Sequence, residues 1–317
     1  MNIGAHTIGS GHPVYVVAEV SSNHCHDFTT ARMLIEAAAD TGAQAVKFQT
    51  FTAEEIAVDI PILAGYDAVH DAWVARLGVT TLRELYAKGG LPRAWHHELK
   101  HIAQEEGIAF LSTPFSLDAA RFLVEDIGVS ALKIASGDLT FTSLLAYAAS
   151  TGVPVILSTG MATMDDVTTA VGGPLAPVHA VGRLSLLHCT SSYPLRRADA
   201  NLRAIATLGA AFPACVVGYS DHTIDCLVIP ALAVAQGACL YEKHFRLADG
   251  LTSPDTNHSL DPDEFACMVK ILRGVSEWLG DGLKRPQTSE AHDVLWTRRS
   301  PRDWQRPTDA ARSGRWA

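Results

Sequence analysis

The chain is short of positive charge: 25 lysines and arginines stand against 34 acidic residues, for a formal net charge of −9. Phosphate backbones attract a basic face, so no nucleic-acid partner is expected, and an anionic small molecule must be met by a local cluster of cations. Long apolar runs are also missing. None reaches the ~18 residues that suggest a membrane span. The opening stretch MNIGAHTIGSGHPVYVVAEV lacks the basic start, apolar centre and cleavage site of a secretory signal. The sequence therefore reads as cytoplasmic, with no membrane partner. Cysteines are few: Cys25, Cys189, Cys215, Cys226, Cys239 and Cys267 show no CxxC spacing and mostly lie in apolar runs. They read as reduced core residues and not as a disulfide frame.

What is present is an alternation of short β-branched runs with segments of helical period. The runs fall at 14–20, 45–51, 109–115, 131–136, 154–160, 183–189, 215–222 and 239–245. Amphipathic stretches such as TTARMLIEAAADTG and LDAARFLVEDIG lie between them, and Gly42, Gly107, Gly128, Gly152 and Gly237 mark turns back into the next strand. Eight strands, nearly all apolar until their last residues, suit a closed parallel (β/α)8 TIM barrel buried on both faces. A doubly wound open sheet is the competing fold. Polar residues gather at the strand ends, which in a barrel converge on one rim, where barrel enzymes carry out their chemistry.

The expected organisation is a barrel over residues 1–285 and a polar, basic tail over 286–317 with no second folded domain. The segment 52–91 is long for a βα loop and is expected to fold over the rim.

His222 and His244 close the seventh and eighth strands, neighbours in a barrel, and two adjacent imidazoles can hold one divalent ion. The alternative is a pair of structural histidines bonded to loop backbone. Lys47 and Lys133, with the hydroxyls of Ser136, Ser158 and Ser220, supply the cationic patch that a phosphorylated substrate needs. Each lysine can instead pair structurally with Glu19 or Glu242, and a desolvated Lys133 raises Schiff-base chemistry as a further reading. Glu19, Asp138 and Glu242 are the acid–base candidates, because a carboxylate ending an apolar strand costs desolvation unless paired. A His188–Cys189 thiol–imidazole pair is disfavoured, since neighbours on a strand face opposite ways.

In order, the chain carries AEVSSNH, AVKFQTF, FLSTPF, KIASGD, PVILSTGMAT, LLHCTSSYP, GYSDHT, YEKHF and PD-x3-SLDP-x-EF. Over roughly residues 11–290 it resembles the sialic acid (N-acetylneuraminate) synthase family with its legionaminate, pseudaminate and spore-coat relatives. The resemblance implies a barrel enzyme that condenses phosphoenolpyruvate with an aldose and water, giving a 2-keto-3-deoxy sugar acid and phosphate. It implies a divalent metal on His222 and His244, with Mn²⁺ expected before Mg²⁺ or Co²⁺. Phosphoenolpyruvate is then expected against Lys47, Lys133, Ser136, Ser158 and Ser220, Glu19 and Glu242 beside the reacting carbons, and Tyr193, Asp255 and Gln49 toward the acceptor sugar. The same resemblance admits a homodimer.

The chain departs from the family pattern in three places. Ser21 stands where glycine is usual, and the SGE pattern reads Ser136-Gly137-Asp138. The family's C-terminal antifreeze-like domain, which the resemblance implies carries an arginine to the partner's sugar site, is expected to be missing; only the RRS at 298–300 resembles the linker to it. N-acetylmannosamine is accordingly expected to be a poor acceptor, with Arg298, Arg299 and Arg302 the nearest replacements for that arginine. Two other classes stay open: a Schiff-base lyase or aldolase, and a non-catalytic sugar- or phosphate-binding barrel.

Overall fold

The computed structural model of the chain describes residues 1–63, 65, 68–247 and 252–314. Eight parallel strands form the centre: β1 (Tyr15–Glu19), β2 (Ala45–Thr50), β3 (Ala109–Pro114), β4 (Leu132–Ile134), β5 (Val155–Ser158), β6 (Leu184–Cys189), β7 (Val216–Asp221) and β8 (Leu240–His244). Hydrogen bonding runs in the order β3-β2-β1-β8-β7-β6-β5-β4. The first and last strands pair along their length, from Leu240 opposite Tyr15 to His244 opposite Glu19. β3 and β4 lie side by side at the seam without a ladder among the described residues. The barrel predicted from the sequence is therefore the fold, and each strand falls within a residue or two of its predicted run.

Helices follow the strands, among them Phe28–Asp40, His96–Glu105, Thr142–Ser150, Arg203–Ala211, Val228–Ala235 and Pro262–Leu279. Local chemistry sets their ends. The Asp27 carboxylate accepts from the Thr30 backbone N–H at 2.7 Å and starts the first of them. Gly128 ends the helical run after β3 at φ +66°, in the left-handed region where a side chain would be strained. No helix among the described residues is long and apolar enough to cross a membrane.

Two apolar cores follow from the period of two. Outward residues such as Val16, Val46, Leu132 and Leu157 pack under the helices. Inward residues form a layer inside the barrel: Tyr15, Val17, Ala45, Leu111, Ala131, Ile156, Leu187 and Leu240. An N-terminal hairpin, Asn2–Ile3 with His6–Thr7, adds buried Ile3 and Ile8 to this inner cluster. The strands' N-terminal end is thus stoppered with aliphatic side chains. One inward position is glycine for a steric reason: a methyl on Gly218 would stand 2.4 Å from the Leu240 carbonyl oxygen and 2.6 Å from Leu187 Cδ2.

The segment after β2 holds three short helices, Ala53–Ile56, Ala68–Leu77 and Leu82–Tyr86; residues 64, 66 and 67 of the expected rim-covering stretch lie outside the described residues. Trp73 Nε1 donates to the Pro254 carbonyl at 3.1 Å, joining this segment to the loop after β8.

The chain divides into two compact units, Met1–Glu277 and Trp278–Ala317. Within the second, the Thr308 N–H donates to the Leu295 carbonyl at 3.0 Å and Arg312 pairs with Asp303 at 2.7 Å. Arg299 donates to the Trp304 carbonyl and Arg302 pairs with Asp309 at 3.0 Å, so both arginines are used inside this small unit.

Gly218→Ala is expected to lower stability by about 1–3 kcal/mol, the usual cost of overpacking a filled core. Urea unfolding checks it: the midpoint should fall at constant slope. An unmoved midpoint would mean that the inner layer is looser than its distances indicate.

Candidate active site

Above the aliphatic layer, the next inward position on each strand is polar. Glu19 on β1, Lys47 on β2, Thr113 on β3, Lys133 on β4, Ser158 on β5, Cys189 on β6, Ser220 on β7 and Glu242 on β8 are all buried. Alternation puts them there, each two residues on from an aliphatic or glycine neighbour such as Val17, Ala45 or Leu240. Lys47 Nζ lies 2.6 Å from Glu19 Oε2, 3.5 Å from Glu242 Oε1 and 3.2 Å from Thr113 Oγ1. Lys133 Nζ donates to Ser158 Oγ at 2.7 Å and stands 3.8 Å from Glu242 Oε1, which also accepts from Ser220 Oγ at 3.2 Å. Two lysines and two carboxyl groups share one small, buried layer.

Their protonation follows from that crowding. Burial pushes the Glu19 carboxyl up, Lys47 pulls it down and Glu242 pushes it up again, leaving it at about 7. Burial also raises Glu242, but Lys133 and Lys47 together hold it below its ordinary range. Burial lowers the Lys133 amine, only partly offset by Glu242. Lys47 stays above its ordinary value because Glu19 and Glu242 outweigh its burial.

The outermost inward positions form the mouth. Gln49 Nε2 donates to Glu19 Oε1 at 3.0 Å and to Ser21 Oγ at 2.8 Å. Ser21 adopts φ +48°, a left-handed conformation that costs a non-glycine residue about 1–2 kcal/mol. The Gln49 hydrogen bond is the gain its hydroxyl brings there. Ser136 Oγ accepts from the Gly160 N–H at 2.9 Å, and Gly160 has no room for a side chain, since an added methyl would lie 2.5 Å from Ser191 Oγ. Asp138 stands outside the ion-pair network, half-buried on the single turn Ser136–Asp138, and burial pushes its carboxyl up to about 6.

His222, His244 and Tyr193 meet at the mouth. The Tyr193 ring lies 4.2 Å from that of His222, and the two histidine rings are 5.5 Å apart. His222 Nδ1 faces the Thr190 carbonyl at 2.9 Å, so the N–H sits there and Nε2 is the lone-pair nitrogen of the neutral ring. The Asp255 carboxylate is anchored by the Ser22 N–H at 3.1 Å and by the Ser22 hydroxyl. Burial opposes its charge, but the His258 and His244 rings and Ser22 hold it far below the usual carboxylate range. Ser253 Oγ donates to Asn23 Oδ1 at 2.6 Å, and Asn23 Nδ2 donates to Ser259 Oγ at 2.8 Å, tying the turn after β1 to the loop after β8. Residues 248–251 of that loop lie outside the described residues.

The donor set suits a divalent ion on an observation of its own. His244 Nδ1 and His258 Nε2 are buried and lack hydrogen-bond partners, and each looks toward Asp255 Oδ1, at 3.9 and 3.2 Å.

The NeuB family pattern matches residues 34–284. The chain belongs to the NeuB family. Among its relatives, N,N'-diacetyllegionaminic acid synthase of Legionella pneumophila is 38% identical over 92% of this chain and 80% of its own. N-acetylneuraminate-9-phosphate synthase of Mus musculus is 32% identical over 88% of this chain and 74% of its own. Among solved structures, the sialic acid synthetase of Leptospira borgpetersenii superposes with a TM-score of 0.78 at 34% identity, covering 93% of this chain and 94% of that one. A truncated 3-deoxy-D-arabino-heptulosonate 7-phosphate synthase of Thermotoga maritima, 14% identical with a TM-score of 0.63, shares the barrel. The named relatives are sugar-acid synthases, and this NeuB-family chain is an enzyme of that class.

Sequence reasoning missed four contributors. Thr113 sits in FLSTPF and bonds Lys47, and Ser191 crowds Gly160. Cys189 does approach an imidazole, with Sγ 3.9 Å from Nδ1 of His222 across the strands, whereas His188 faces outward onto the Ala200 carbonyl. His258 lies in the spacer of PD-x3-SLDP, a position that the pattern leaves unspecified.

Glu19 ionises near 7 in the folded chain against an ordinary 4.5. The folded protein holds this proton more tightly than the unfolded chain does, so its stabilisation is complete below about 4.5 and is lost as the pH rises through 7. Glu19→Gln removes that titration, and the drop in Tm between about pH 5 and pH 8 should become smaller than in the parent. An unaltered drop would place the titration on another group.

Proposed function

We propose that the chain condenses phosphoenolpyruvate with an aldose and water to give a 2-keto-3-deoxy sugar acid and phosphate. The observation that carries this reading is the buried layer of Lys47, Lys133, Glu19 and Glu242 at the open end of an otherwise apolar barrel. Such a layer has little value for stability, because buried ion pairs seldom outperform apolar packing. It does suit a small anion that must be held while protons move.

In this reading Lys47 and Lys133 receive the carboxylate and phosphate of phosphoenolpyruvate, with Ser136, Ser158 and Ser220 lending hydroxyls. The enol carbon attacks the aldehyde carbon, the aldehyde oxygen takes a proton, water adds at carbon 2, and phosphate leaves with its C–O bond broken. Glu19, poised near neutrality, and Glu242 on the neighbouring strand handle the protons of attack and water addition. Tyr193, Asp255 and Gln49 at the mouth orient the acceptor. A divalent ion held by His222 and His244 would supply Lewis-acid polarisation of the aldehyde oxygen, and Mn²⁺ is expected to serve better than Mg²⁺ with imidazole donors.

One observation favours a second reading, a Schiff-base lyase: the Lys133 amine is pushed below its ordinary value by burial, as an attacking amine requires. Borohydride trapping with pyruvate separates the two, because only the lyase would leave a stable adduct on Lys133.

Incubation with phosphoenolpyruvate and a panel of aldoses, N-acetylmannosamine included, should release phosphate in proportion to sugar acid formed, and a chelator should stop it. Lys133→Ala should weaken phosphoenolpyruvate binding at least about tenfold, the cost of stripping one partner from a desolvated charge pair. Phosphate release that is absent with every aldose, or normal in Lys133→Ala, would sink the proposal.

A further inference from the structure

His258 takes no part in the chemistry above, yet it is only 2% exposed. It ends the single turn Thr256–His258, in the loop after β8. One atom each from His244, Asp255 and His258 lies within 4.8 Å of the others, and no other such trio of His, Cys, Asp or Glu is found among the described residues. A histidine that merely braces a carboxylate turns an N–H squarely onto it. Here His258 Nε2 and His244 Nδ1 both approach Asp255 Oδ1, and neither makes a directed hydrogen bond. Buried ring nitrogens left in this way are costly unless something else receives their lone pairs.

The three imidazoles cluster at the mouth, with His222 outside the trio of close ligand atoms. Ring centres are 4.4 Å apart for His244 and His258, 5.5 Å for His222 and His244, and 6.2 Å for His222 and His258. Rings sharing one ion through bonds of about 2.0–2.1 Å keep their centres roughly 4–6.5 Å apart. Asp255 has an oxygen to spare, since Ser22 engages Oδ2 and leaves Oδ1 toward the two rings.

We propose that His258 and Asp255 are ligands of the divalent ion alongside His244, with His222 at the edge of their trio, so that the loop after β8 adds protein ligands to those of the strand ends and leaves a position open for substrate. This rests on the metal-dependent reading given above. The ion then does more than two strand-end imidazoles would allow. It fastens the 252–259 loop, already tied to Asn23 through Ser253 and Ser259, over the mouth.

The test is metal binding to the full-length protein after chelator treatment, with free Mn²⁺ followed by electron paramagnetic resonance. His258→Gln should raise the Mn²⁺ Kd at least about tenfold, as loss of a metal-site partner commonly does. It should also lose most of the rise in Tm that Mn²⁺ gives the parent. His258→Cys loaded with Co²⁺ should show a sulfur-to-cobalt charge-transfer band in the near ultraviolet that is absent from the parent, whose Cys189 beside His222 makes it the proper blank. This second variant decides the matter if His258→Gln folds poorly. Equal Mn²⁺ affinity in parent and His258→Gln, with no new band in His258→Cys, would overturn the inference and leave the ion on His222 and His244. Phosphate release that continues under chelation in a parent that binds no Mn²⁺ would remove the metal reading itself, and this inference with it.

Discussion

Lys47 reaches two carboxylates at once, Glu19 at 2.6 Å and Glu242 at 3.5 Å, inside a barrel whose adjoining layer is almost wholly aliphatic. Neither acid can be charged in that setting without a cation, and one ammonium does not suffice for both. Lys133, 3.8 Å from Glu242, completes the balance. Removing one member would leave an uncompensated buried charge, a loss of about 3–5 kcal/mol. Glu19 has Lys47 but no second cation, so its burial, with the Glu242 charge added, holds its proton to near neutrality. The whole mouth is built around this arrangement: Gln49 steadies the other oxygen of Glu19, and Ser220 steadies Glu242.

The consecutive ionisable residues Glu242, Lys243 and His244 divide between two environments. Glu242 and His244 point into the barrel. Lys243 points out, is fully buried beneath the helices, and meets Asp221 Oδ2 at 2.7 Å, an oxygen that also accepts from Tyr241 at 2.6 Å. This outer pair locks β7 to β8 on the side away from the chemistry. The two histidines that close those strands thereby inherit a fixed spacing.

The fold and the inner layer were legible because both obey short periods. Strands that stay apolar until their final residues announce a sheet buried on both faces, and alternation then carries Glu19, Lys47, Lys133, Ser158, Ser220 and Glu242 to one place. His258 and Ser191 were not legible in this way. They lie on loops, and where a loop returns is set by contacts such as Ser253 with Asn23, which no local period encodes. The Cys189–His222 approach depends on strand register, which places Cys189 opposite Ser220 and thus within reach of His222. The C-terminal stretch reads as charged and aperiodic, yet Trp278–Ala317 is compact, held by pairs such as Arg312 with Asp303 and by Ser300 on Asp309. Order built from polar bonds between neighbouring turns leaves no hydrophobic rhythm in the sequence.

The hairpin that seats Ile3 and Ile8 against the inner aliphatic layer turns the barrel into a blind tube. Traffic in such a tube obeys the logic of a stack. A molecule resting on the lysine layer must enter before anything settles at the histidine and tyrosine rim, and it cannot leave until the rim is clear. On the proposed reaction this imposes an order without any moving part: the three-carbon acid first, the sugar second, and a flooded rim acting as a stopper at high acceptor concentration. Within the proposed reaction, a sequence of events ordinarily attributed to conformational gating would come from depth alone.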